Sequence, residues 1–247
     1  MPAPGPGPAT DARALVFVED LDGPRLSAAD DHHLRRVLRL HPGDLVAASD
    51  GAGRWRPCRF GPGPGLALDG EVLTVARPAP AVTVAFALTK GERPEWAVQK
   101  LCELGVDRIV AFAAERSVVR WDNRRAEAAV ERWRRIAREA AAQSRRVWLP
   151  VVDEVSTFAA VAAGAPPPLI AVPGGPPLPA GASAVLIGPE GGWSAAELDL
   201  AAGRGLGRVG LGPHVLRAET AALAAGALLC GLRAGLVSPT GGAGGPP

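Results

Sequence analysis

Two short stretches of this 247-residue chain bring glycine, proline and charge together at a chemically useful spacing. VLIGPEGGWSAAEL, residues 185–198, reads as a strand, a glycine turn and a helix start. LGPHVLRAETAAL, residues 211–223, repeats the order: strand end, Gly-Pro turn, helix opening. Glycine turns between a strand and a helix often cradle phosphate. Neither stretch has the GxxxxGK[ST] spacing in which a lysine neutralises the phosphates, and the GxGxxG pattern is absent from the first turn. The chain's only lysines are Lys90 and Lys100, and Glu190 in the first turn would repel a phosphate. What remains is a turn whose glycines let backbone N–H and C=O groups approach a ligand that tolerates a nearby carboxylate. Taken alone, the first turn could equally be structural, because Ser194 and Glu197 in SAAE are placed as a capping box. The second turn, with Arg217, Glu219 and Thr220 at its helix opening, suggests two sides of one cleft. In open α/β sheets ligands sit beyond the carboxyl ends of strands.

The elements that must carry these turns follow from the pattern. From residue 82 onward strands alternate with helices: VTVAFAL, PEWAVQKLCELG, RIVAFA, AEAAVERWRRIAREAAAQS, PLIAV, AVLIG, a helix from Ser194, GRVGLG and an apolar terminal helix. Such alternation predicts an α/β domain with a mostly parallel sheet. In the long helix Val130, Trp133, Ala137 and Ala140 share one face at helical spacing. The first part of the chain reads differently: ALVFVED, a short helix in SAADDHHLRRVLRL capped by Ser27 or Asp30, then DLVAASD, WRPCRF and LALDGEVLTVA. Short strands separated by turn residues predict a small β-rich domain, and RPAPA at 77–81 is a natural boundary. Leu34, Val37 and Leu38 are expected to form the apolar face of the short helix. The proline- and glycine-rich ends, 1–10 and 239–247, are expected to be disordered tails.

Composition narrows the function classes. Three scattered cysteines and no histidine cluster argue against a disulfide framework or a metal site and fit a reducing compartment. The most apolar run, Thr220 to Leu232, is shorter than the roughly 20 residues of a membrane span and reads as a buried helix. The start of the chain lacks the pattern of a signal peptide, so a soluble, cytoplasmic protein is expected. Net charge is only +2, yet ten arginines face five acids between Glu115 and Arg146. That basic run could follow a nucleic-acid backbone, or it could be a solvated helix laced with i,i+4 pairs such as Glu131 with Arg135.

With both glycine turns on the page, the sequence resembles the RsmE family of SPOUT-class methyltransferases. The resemblance rests on LIGPEGGWSAAEL and LGPHVLRAETAALAA together with HHLRRVLRLHPGD, TKGERPEWAVQKLCELGVDRI, ERSVV and RWRRIAREAAAQSRRVWLP, six stretches in order over nearly the whole chain. It implies a PUA-like β-barrel domain over 11–77 and an α/β SPOUT methyltransferase domain over 78–238, with a parallel sheet and a C-terminal trefoil knot. Periodicity gives no hint of the knot, which is rare. The resemblance further implies S-adenosyl-L-methionine as cofactor, methylation of N3 of a uridine in 16S ribosomal RNA of the small subunit, and a homodimer; no membrane or metal partner is implied. Carried over, the cofactor loops are Ile187, Gly188, Pro189, Glu190, Gly191 and Gly192, and then Leu211, Gly212, Pro213, Val215 and Leu216. Ala171 and Val172, running to Pro173, form a third wall. Two residues depart from the family pattern: Trp193 replaces a phenylalanine, and His214 replaces an arginine.

Uracil N3 lies on the Watson–Crick edge and carries a proton, so the base must be unpaired or flipped before methyl transfer. A cation would stabilise the negative charge that develops on the ring. Arg217 is the candidate for that role, or else it fixes the loop through a salt bridge to Glu219 or Glu190. Glu219 and Thr220 read as caps rather than catalysts. No proton acceptor is identified; an imidazole could serve near neutral pH, and His214 lies in the second turn, but water could serve instead. Candidate phosphate contacts are Arg116, Arg120, Arg145 and Arg146 in the catalytic part and Arg35, Arg36 and Arg39 in the smaller domain. Trp133 is expected in the core, while Trp55 and Trp121 could stack bases or be buried at a domain edge. The rivals are another SPOUT enzyme acting on a ribose or a tRNA base, and an RNA-binding protein without catalysis.

Overall fold

A computed structural model of the chain describes residues 11–238; the two ends expected to be disordered, 1–10 and 239–247, lie outside the described residues. The chain divides into two compact units, one comprising residues up to Pro78 with Arg138–Leu149, the other Ala79–Ala137 with the residues from Pro150 onward.

In the first unit β1 (Ala14–Phe17) pairs in parallel with β2 (Leu45–Ser49). β2 pairs antiparallel with β3 (Arg54–Arg59), and β3 carries the short strands β4 (Ala67–Leu68) and β5 (Leu73–Thr74). Between β1 and β2 lies α1 (Ala28–His32), whose N-cap is Ser27: its Oγ accepts the backbone N–H of Asp30 at 3.0 Å. The helix widens at once into a π-helical turn, His33–Val37, closed by the N–H of Leu38 donating to the His33 carbonyl. This turn corrects the expected apolar face. Leu34 is buried with Val16, Val46 and Phe60, but Val37 is 61% and Leu38 40% exposed. Spacing that puts three residues on one side of an α-helix fails where each turn takes in an extra residue. Burial in this core also pushes the Cys58 thiol up to about 11.

The second unit is built on a parallel sheet of order β12-β10-β11-β6-β7-β8. Its strands are β6 (Thr83–Ala87), β7 (Arg108–Ala113), β8 (Val151–Val152), β9 (Ser156–Thr157, paired with the end of β7), β10 (Leu169–Ala171), β11 (Ala184–Ile187) and β12 (Arg208–Val209). The helices are α2 (Arg93–Leu104), α3 (Asn123–Gln143, of which the residues up to Ala137 belong to this unit), α4 (Phe158–Val161), α5 (Ala195–Gly203) and α6 (Ala218–Arg233). The central strands are apolar on both faces, as a sheet covered on both sides requires. Val84 and Phe86 join a core with Leu101, Trp133 and Leu229, whereas Ala85 and Ala87 join another with Phe112, Phe158, Ile170 and Leu186. Each fully buried large side chain contributes roughly 1.5–3 kcal/mol. The terminal apolar run is α6, a buried helix, and no helix among the described residues is long and apolar enough to cross a membrane. Its far end is tied down by Arg233, which pairs with buried Asp107 and donates to the Gly105 carbonyl at 2.8 Å. Asp107 also accepts the Val82 N–H at 2.8 Å. These bonds hold α6 against the start of β6, leaving its opposite end beside the carboxyl ends of β10, β11 and β12.

Candidate functional site

The loops that follow β10, β11 and β12 converge on one cleft. It is lined by Ala171, Val172 and Pro173 from the first, by Ile187, Gly188, Pro189, Glu190, Gly192 and Trp193 from the second, and by Leu211, Gly212, His214, Val215 and Leu216 from the third. Ala218 and Ala221, in the first turns of α6, close its floor. Thus the structure brings together all the loop residues named from the sequence except Gly191 and Pro213, which belong to the same turns but do not line the cleft. Trp193, His214, Ala218 and Ala221 line it as well.

Close backbone approach explains the glycines. A Cβ on Gly175 would stand 2.6 Å from the Val209 carbonyl carbon, and one on Gly210 would stand 2.4 Å from the Gly175 oxygen. The chain leaving β10 therefore runs in direct backbone contact with the chain leaving β12, fixed by Gly210 N–H donating to the Pro176 carbonyl at 2.8 Å. In the β11 turn, Gly192 has a φ of +70° and its N–H closes the turn onto the Pro189 carbonyl at 2.9 Å. A Cβ on Gly188 would meet the indole of Trp193 at 2.9 Å. That indole stacks on Phe112 with centroids 6.1 Å apart and donates its Nε1–H to the Ala171 carbonyl at 2.8 Å. Trp193 thus supplies a hydrogen bond between two walls of the cleft. The capping box is present: Ser194 Oγ accepts from the Glu197 N–H, and Glu197 returns to the Ser194 N–H. Buried Glu197 also accepts the Glu115 N–H at 2.9 Å, tying the helix start to the loop after β7.

The charges around the cleft are organised by a residue that no local sequence signal marks. Arg93, at the start of α2, donates from Nη1 to Glu190 Oε1 at 3.0 Å, and its Nε lies 3.6 Å from Glu219 Oε1. Arg217 is therefore not the loop's ionic tether. It is exposed, and among the described residues it has no ion-pair partner. Arg217 itself occupies the N-cap position of α6 without a side-chain cap, so neither Glu219 nor Thr220 caps that helix; Glu219 stands in its first turn, where a carboxylate favours the helix dipole. His214 is exposed at the cleft wall.

The other arginines sort by what already holds them. Arg116 lies beside the glycine turn, its Nη1 donating to the Gly191 carbonyl at 3.4 Å, and Arg120 is exposed. Along α3 the basic residues also pair with acids on other elements, Arg132 with Glu95 and Arg134 with Glu154, each at 2.8 Å. Trp133 is core, and Trp121 packs on it at 5.7 Å. In the first unit Arg35 is fully engaged: it pairs with Asp31 at 2.9 Å, donates to the Gly61 and Gly63 carbonyls, and lies 4.5 Å over the Phe60 ring. Arg36 and Arg39 are exposed. Arg145, at a φ of 60°, donates to the Arg13 carbonyl at 2.7 Å, and burial draws its guanidinium below the ordinary range. Arg146 is half-buried.

Comparison with known proteins places this geometry. A family model described as an RNA methyltransferase domain matches residues 77–230, and a second, an RNA methyltransferase PUA domain, matches residues 26–62. The chain is 36% identical over 210 residues to ribosomal RNA small subunit methyltransferase E of Mycobacterium bovis, covering 78% of this chain and 80% of that protein. To the Bacillus subtilis protein of the same name it is 31% identical over 235 residues, with 80% and 86% covered. The crystal structure of ribosomal RNA small subunit methyltransferase E from Neisseria gonorrhoeae bound to S-adenosyl methionine superposes with a TM-score of 0.72 at 26% identity, over 87% of this chain and 96% of that one.

Proposed function

This chain belongs to the RNA methyltransferase family that includes ribosomal RNA small subunit methyltransferase E, and on that premise we propose that it methylates N3 of a uridine in 16S ribosomal RNA with S-adenosyl-L-methionine as donor. The observation that carries the reading is the convergence of two glycine turns and the end of β10 on one cleft with Arg217 beside it. The cleft fits such a cofactor. Its walls are glycine backbone, mostly aliphatic side chains and the Trp193 indole, suited to an adenosine, and its one acidic lining residue, Glu190, suits a ligand carrying sulfonium and ammonium charges.

The bound cofactor supplies an electrophilic methyl group. The chain's own residues do the rest. Ile187, Leu211 and Leu216 exclude water, and the turns after β11 and β12 hold the donor in line for attack, a positioning effect that removes much of the barrier. Arg217, unpaired within the unit, stabilises the negative charge that builds on the uracil ring as N3 loses its proton. In the PUA-like unit the exposed Arg36 and Arg39 are the phosphate contacts, and in the catalytic unit Arg116 and Arg120 serve beside the cleft. Arg35 and Arg145 contribute by shaping the first unit's surface, since their guanidinium groups are engaged. The family resemblance supports a threaded, knotted C-terminal segment and a homodimer. It also supports small ribosomal subunits as the partner and a cytoplasmic site of action.

The test is methyl transfer from labelled S-adenosylmethionine to small ribosomal subunits from cells lacking the enzyme, with the modified nucleoside identified by mass. Label on uracil N3 is expected. Label on a ribose would keep the fold and overturn the substrate, and no label would leave an RNA-binding protein.

A further inference from the structure

Next to the cofactor cleft, Glu92, Arg93, Trp96, Arg217, Glu219 and Thr220 line an open recess. The two share the first turn of α6: Ala218 lines the cleft, while its neighbours Arg217 and Glu219 line the recess. Arg93 links them again through its 3.0 Å bond to Glu190. Within the recess Glu219 is unusual. Its side chain is 11% exposed, Oε1 lies 3.6 Å from Arg93 Nε, and Oε2 is shut off from solvent with no hydrogen-bond partner among the described residues. A buried carboxylate oxygen without a donor is costly, and native proteins keep few such atoms unless a ligand or reaction uses them.

The recess lining therefore includes two guanidinium groups and a carboxylate, which offer two donors and an acceptor. The Watson–Crick edge of uracil is the complement, with O4 and O2 as acceptors flanking the N3–H donor. Cytosine would set an amino donor against an arginine and a bare N3 lone pair against the carboxylate. Trp96, 45% exposed at the same recess, offers an indole face for the flipped base. Resting on the function proposed above, we infer that this recess receives the target base, that Arg93 and Arg217 bind its two carbonyl oxygens, and that Glu219 accepts the N3 proton. The last torsion of a glutamate is soft, so the carboxylate can turn into the recess it lines. As the N3 lone pair bonds to the methyl carbon, the carbon–sulfur bond breaks with its electron pair going to sulfur. The N3–H proton passes to the carboxylate, and water then removes it. The charged groups facing Glu219 are Arg93 from α2, Arg217 from its own helix opening and Glu92 at the recess wall, with Glu190 reached through Arg93.

The test uses the full chain with Glu219→Gln and Glu219→Asp. The glutamine variant should bind S-adenosylmethionine within about twofold of wild type while methylating small subunits on the order of 10²–10³-fold more slowly at neutral pH. Its rate should then climb steeply with pH as uracil N3 ionises unaided, whereas the aspartate variant recovers part of the neutral rate. Without cofactor, the wild type should bind oligouridylate roughly tenfold more tightly than oligocytidylate, a preference worth about 1.4 kcal/mol that the glutamine variant loses. A glutamine variant whose pH profile runs parallel to wild type, or a wild type that binds both oligonucleotides equally, overturns the inference alone. A wild type that places no methyl on uracil N3 overturns the underlying function as well.

Discussion

The turn after β11 and the turn after β12 share a Gly-Pro step and a following helix, yet the fold holds them in opposite ways. The first is framed on every side. Its glycines abut the Trp193 indole and Arg116, its own hydrogen bond joins Gly192 to Pro189, and Glu190 is held by Arg93. The second is anchored at its root, where Gly210 meets Gly175, and is loose beyond it. Residues 211–216 make no hydrogen bond among the described residues, and Val215 is 84% exposed. Two turns that share a Gly-Pro step thus acquire different mechanics from what distant elements bring to them. A framed wall can preorganise a ligand, and a wall with few tethers can adjust to one.

Four substitutions probe that contrast. Arg217→Ala, on the loose side, should lower the methyl-transfer rate about 10²–10³-fold while leaving cofactor affinity nearly unchanged, checked by single-turnover kinetics beside a binding titration. Gly175→Ala drives a Cβ into the backbone at the root of the loose turn. It should cost about 1–3 kcal/mol in urea unfolding and more if the two backbones cannot shift apart. Trp193→Phe retains the stacking on Phe112 but leaves the Ala171 carbonyl without its donor. A loss of about 1 kcal/mol is expected, with a cofactor affinity reduced only a few-fold. Val215→Ala should change stability by less than about 0.5 kcal/mol, as exposed positions do, while weakening cofactor binding measurably. If Val215→Ala destabilises the protein as much as Gly175→Ala, the second turn is not loose and the contrast fails.

Much of this was readable in advance, because it depends on local signals. Uninterrupted apolar runs such as VTVAFAL and AVLIG mark the central strands, and Val130, Trp133 and Ala137 mark the buried stripe of α3. SAAE marks a helix start, and the glycine turns stand out by composition alone. What escaped depends on partners far apart in the chain. Arg93 and Glu190 are 97 residues apart, so no window of sequence could single out Arg93 as the residue that gathers both carboxylates. Likewise Arg35 looks like a free cation on a helix until the Gly61 and Gly63 carbonyls and the Phe60 ring are brought beneath it. The exposure of Val37 and Leu38 follows from a π-helical turn, for which the sequence carries no periodic mark. The short strands β8 and β9 and helix α4 have too few residues to show any period at all.

The most direct measurement is a calorimetric titration of S-adenosylmethionine into the wild-type protein and into Gly188→Ala, whose added methyl would meet the Trp193 indole at 2.9 Å. Saturable binding by the wild type, weakened at least tenfold in the variant at a temperature where both proteins remain folded, is the result expected if the framed turn holds the cofactor. A wild type that does not bind, or two proteins that bind alike, would contradict the assignment of this cleft.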